Sequence, residues 1–190
     1  MSTSANICLT NVYDNGSKSF VTNIYQHWDG SPAWCGLNIA NAIFKAAYFK
    51  PEDSQFGLNN RNWAKPFLAM FCSNEHVDFE FVGDDIISNY HYIIRGKYAN
   101  TGGKESISKD DYLSRLEITV YKNCVNDPIF EGCPFKFRKF CELYREWEYS
   151  DIEQYPSFDY FCYCAYDDIT YWPETCTTCK DCPFSECVCV

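Results

Sequence analysis

The chain has 190 residues, 46% hydrophobic and 18% aromatic, enough for one core plus an appendage. Its formal charge of −10 and pI near 4.7 argue against a nucleic-acid partner, because phosphate binding relies on lysine and arginine displacing counterions. No window approaches the roughly 20 apolar residues of a spanning helix, and residues 1–9 lack the pattern of a secretory leader.

The expected setting is therefore a reducing cytoplasm, with no membrane partner, where thirteen cysteines point to metal or buried thiols rather than a disulfide framework. The densest basic stretch, Lys136, Arg138 and Lys139, is interleaved with phenylalanine and reads as the solvated face of a helix.

Residues 6–13 and 20–26 are β-branched and aromatic runs separated by Asp14-Asn15-Gly16-Ser17, which predicts a hairpin. After the polar stretch from Trp28 to Pro32, Ile39, Ile43 and Ala47 recur at helical spacing and predict a helix over 34–48. Asn62 reads as the N-cap of a second helix running to Cys72, with Pro66 tolerated in its first turn. Residues 77–82, 90–95 and 116–121 alternate with period two and predict strands. The polar, glycine-rich stretch 99–111 reads as an exposed hairpin loop. Pro134 opens a last helix whose Phe137, Phe140, Cys141, Tyr144 and Trp147 share one face.

The order ββααβββα predicts an α+β fold, an antiparallel sheet with helices packed on one face, over residues 1–149. Ile43, Phe44, Phe67, Phe81, Ile118, Phe140 and Trp147 are its expected core. From Ser150 the periodicity fails, so residues 150–190 read as an aromatic and cysteine-rich tail.

The run Ile24-Tyr25-Gln26-His27-Trp28-Asp29-Gly30-Ser31-Pro32, between a hairpin and a helix, resembles the Tyr-x-His-Trp-Asp-Gly-Tyr-Pro signature of small uncharacterised phage and prophage proteins. Residues 116–121 look like that family's last strand, and Phe130-Glu131-Gly132-Cys133-Pro134 looks like its entry into the final helix. The resemblance spans about residues 6–147. Ser31 stands where the family has tyrosine, and the tail falls outside the pattern. It implies a viral origin and a fold, not an assigned activity.

Within this run, His27, Trp28 and Asp29 are the candidate ligand-binding residues. A histidine and a carboxylate two residues apart beside a forced turn can orient an imidazole for binding or base catalysis. They can equally cap and pack the turn. Cys35, at the start of the predicted helix, is a candidate nucleophile with its thiol activated by the helix dipole and His76 or His91 as base; a buried inert thiol is the alternative.

Cys176, Cys179, Cys182, Cys187 and Cys189 are close enough for four of them to surround one zinc ion, since CxxC spacing supplies the tight turns that tetrahedral thiolate sites need. Cys162 and Cys164 could complete a second site. Disulfides or free thiols remain open. The expected function is that of a non-enzymatic virus-encoded protein, binding a host protein or small signalling molecule in the host cytoplasm. A minor structural component of the virus particle and a cysteine hydrolase are the alternatives.

Overall fold

The structure is a computed structural model describing residues 3–48, 63–74, 78–83, 87–98, 108–123, 127–150, 153–159 and 161–162. The hairpin forms as expected: β1 (Ala5–Tyr13) and β2 (Lys18–Gln26) pair antiparallel around Gly16, whose φ of +78° suits the turn. Pro32–Gly36 forms a π-helical turn leading into α1 (Leu37–Tyr48), and α2 spans Ala64–Cys72. β3 (Phe79–Val82), β4 (Tyr90–Tyr98) and β5 (Leu116–Lys122) match the three alternating runs, and α4 (Pro134–Glu148) starts at the proline that marked it.

Two short elements were not expected. α3 (Lys109–Ser114) lies where the loop was predicted to extend to 111, its N-terminus capped by Ser108 Oγ accepting from the Asp111 amide at 3.1 Å. β6 (Phe130–Gly132) adds a three-residue edge strand to β5 just before α4.

Among the described residues, six strands form one sheet in the order β3-β2-β1-β4-β5-β6. The fold is α+β with its helices on one face, as expected, and four of the five pairings are antiparallel. The fifth corrects the antiparallel expectation, because β1 and β4 run parallel from Ala5↔Tyr90 to Tyr13↔Tyr98. β3 accordingly pairs with β2 at the far edge and not with β4.

Alternation then sorts the strands by face. Ile7, Leu9, Ile24, Tyr92, Ile94, Ile118 and Val120 are fully buried against Ile39, Ile43, Phe67, Phe137 and Phe140 from the helices. Phe44 and Trp147 pack partly buried at the margin of this core. Phe81 departs from expectation, at 61% exposed. It lies on the edge strand, where the α2 ring of Phe71 meets Phe79 and Phe81 only packs edge-on against Phe79.

Among the described residues beyond 149, Tyr155 and Phe158 lie on α4. Phe158 packs against Phe140, Tyr144 and Trp147, and Trp147 Nε1 donates to the Tyr155 carbonyl at 3.0 Å. Among the described residues no helix is long and apolar enough to cross a membrane.

Ile43 is 0% exposed at the centre of this core. Ile43→Ala should destabilise the chain by about 2–5 kcal/mol, through lost burial and a residual cavity, as read by urea denaturation.

Candidate functional site

The turn after β2 is held from several sides. Gln26 Nε2 donates to the carbonyls of Trp28 at 2.6 Å and Asp29 at 3.4 Å, and the Tyr92 hydroxyl donates to the Gly30 carbonyl at 2.8 Å. The Gly30 amide donates to the Thr3 carbonyl, and the Cys35 amide to that of Asp29. Asp29 takes a left-handed conformation with φ of 55°, which aspartate tolerates better than most residues. Gly30 is required sterically, since a Cβ there would stand 2.3 Å from the Ser4 carbonyl carbon.

This clamping displays large rings. Trp28 at 56% and Trp34 at 46% are exposed on the turn, and Trp34 meets Tyr149, 69% exposed after the end of α4, in an edge-to-face contact at 6.3 Å. Between turn and helix, Ser31 Oγ donates to Glu148 Oε2 at 3.2 Å. Burial raises the Glu148 pKa and the nearby Asp29 adds to the rise, while the Ser31 hydrogen bond and Lys122 oppose it. Lys122 Nζ donates to the Tyr144 hydroxyl at 3.4 Å, which shares a 3.0 Å hydrogen bond with that of Tyr90. Sequence reasoning missed Glu148 and Tyr149, which lie more than a hundred residues from the turn.

His27 does not work with Asp29. It lies on the sheet face away from the helices, its Nε2 3.5 Å from Glu80 Oε1 on β3 and its ring edge-on to Tyr25 at 4.9 Å. His91 is on the same face two strands away, its pKa lowered by burial.

Cys35 sits on the other side of the sheet, in the π-helical turn and 0% exposed. Desolvation pushes its thiol far above the ordinary range, which is the reverse of nucleophile activation. The proposed Cys35–His91 pair is therefore not made, because the sheet stands between them. His76 lies outside the described residues, as do Cys164, Cys176, Cys179, Cys182, Cys187 and Cys189. Cys162 is described and half-buried, its thiol pushed up to about 11 by burial with a contribution from Asp159.

No family model, curated protein or solved structure matches the chain. Its function must be read from this geometry.

The Glu148 shift carries a pH dependence. With its folded pKa raised above the unfolded value, near 4.5, the ionised carboxylate disfavours the folded state, and this cost grows as pH rises through the folded pKa. Glu148→Gln keeps an oxygen to accept from Ser31. It should raise the melting temperature by about 1–3 °C at neutral pH, with the gain vanishing in acid where Glu148 is protonated in both states.

Proposed function

We propose that the chain is a non-enzymatic virus-encoded binding protein that engages a host protein in the host cell through the aromatic surface of the 28–34 turn and the end of α4. The observation that carries this reading is the exposure of Trp28, Trp34 and Tyr149 around a turn whose own backbone is clamped. Rings held in place beforehand lose little freedom on binding, and such aromatics commonly dominate binding energy.

The chemistry around them suggests the kind of partner. Asp29 and Glu148 lie beside these rings, on a chain of net charge −10. Carboxylates next to exposed aromatic faces suit a lysine or arginine side chain, which gains both ion pairing and cation–π attraction. A host protein with a basic patch fits better than a neutral small molecule. The viral setting rests on the signature resemblance alone.

The test compares the wild-type chain with Trp34→Ala/Tyr149→Ala, which removes two surface rings outside the buried core and should leave the far-UV circular dichroism spectrum unchanged. A host protein captured by wild type, then purified and titrated against both, should bind the variant at least about tenfold more weakly. Equal affinities would remove the aromatic surface from the reading. Finding the chain in purified particles would favour the structural-component alternative.

The cysteine-rich end adds a separate proposal from sequence spacing: Cys176, Cys179, Cys182 and either Cys187 or Cys189 hold one zinc ion. Chain purified without chelator should carry about one zinc by elemental analysis, and a truncation after Glu174 none. Disulfides in the metal-free chain would point to an oxidised staple instead.

A further inference from the structure

The sheet face away from the helices buries a polar group that the fold leaves unsatisfied. Asn6 is 1% exposed, and among the described residues neither its Oδ1 nor its Nδ2 has a hydrogen-bond partner. An unpaired buried amide works against folding, whereas an apolar side chain of similar size would not. A position that keeps such a group in the middle of a sheet calls for an explanation beyond stability.

Its surroundings supply one. The register sets Asn6 opposite Tyr25 on β2 and His91 on β4, both half-buried, and the row continues to Glu80 on β3 and Tyr121 on β5. All five side chains point away from the helices, because their strand neighbours Ile7, Ile24 and Tyr92 point into the core. Strands about 4.8 Å apart put the Tyr25 and His91 backbones about 9.6 Å apart, with Asn6 midway on the floor. One flat ring with a van der Waals gap on each side needs about 7–8 Å. Burial favours the neutral form of His91, so at neutral pH it offers an uncharged ring face.

We propose that this face is a second binding site, taking a single nucleobase carried on a nucleoside or mononucleotide, with the base edge on the Asn6 amide and its faces between Tyr25 and His91. The carboxamide presents one donor and one acceptor side by side, and every nucleobase offers the complementary pair along an edge. Stacking on aromatic faces supplies the remaining attraction. The charge of −10 favours one base over a polyanionic strand. Asn6 is covered in the free chain, so binding requires the side chains around it to part. The aromatic turn takes no part, and the two sites stand or fall separately.

The test is an NMR titration of the full-length chain with adenosine, guanosine, cytidine and uridine in turn, reading the Asn6 side-chain amide and the Tyr25 and His91 rings. The Asn6 signals are assigned by their loss in Asn6→Leu. At least one nucleoside should shift all three residues saturably, and Asn6→Leu should weaken that binding by about tenfold or more while melting a few degrees higher than wild type. Three results would overturn the proposal: no nucleoside moves these signals, Asn6→Leu binds as tightly as wild type, or Asn6→Leu melts lower, which would show that the amide has a structural partner.

Discussion

The fold depends on the parallel ladder between β1 and β4. It joins two antiparallel halves, β3-β2-β1 and β4-β5-β6, that pair with each other nowhere else among the described residues. Because side chains alternate along a strand, this one register decides which residues enter the core. With Ala5 opposite Tyr90 and Ile7 opposite Tyr92, the apolar set of both strands faces the helices and Asn6 and His91 face away. A slip of one residue in either strand would bring polar groups such as these into the core, so the hydrophobic core and the ladder enforce each other.

The same ladder builds the end of the sheet where the signature turn sits. The Tyr90 amide donates to the Ser4 carbonyl, Asn89 Oδ1 accepts from the Ser4 amide at 2.9 Å, and the Gly30 amide reaches Thr3. Gly30 can approach the chain around Ser4 so closely only because it has no side chain. The turn is thus tied to the first residues of β1 and, through the Tyr92 hydroxyl, to β4. Trp28 and Trp34 project from a base fixed by pairings elsewhere in the sheet, which makes their exposure a property of the fold rather than of a loose loop.

How much of this was legible in the sequence follows the range of the interactions concerned. The hairpin was readable because Asp14-Asn15-Gly16-Ser17 and the runs beside it are local signals. α4 was readable from Pro134 and from a face including Phe137, Phe140 and Tyr144. α3 and β6, of six and three residues, are too short to show a period. The parallel pairing could not be read at all, since β1 and β4 each alternate in a way equally consistent with either direction. The site divides similarly. His27, Trp28 and Asp29 stood out as a run, but the partners that define their surroundings, Glu80 for His27 and Glu148 beyond Ser31, come from distant segments. Phe81 misled because alternation shows which face a residue takes and not whether anything covers it.

The sheet also sorts the titratable groups into two environments, and that sorting bears on what the chain can do. On the helix side, Cys35, Cys141, Tyr92 and Tyr112 are almost fully buried, and desolvation holds all four in their neutral forms. Burial gives Tyr90 and Tyr144 the same tendency, and their mutual hydrogen bond adds to it at Tyr144 while opposing it at Tyr90. Acid–base and nucleophilic chemistry needs a group that changes charge near neutral pH within reach of substrate, and these groups offer neither. On the other face, His27, Glu80, His91 and the Arg95–Glu117 pair keep access to water or to each other, spread across the strands rather than converging on one reacting atom. Among the described residues, this spread of titratable groups is what the proposed recognition reading draws on.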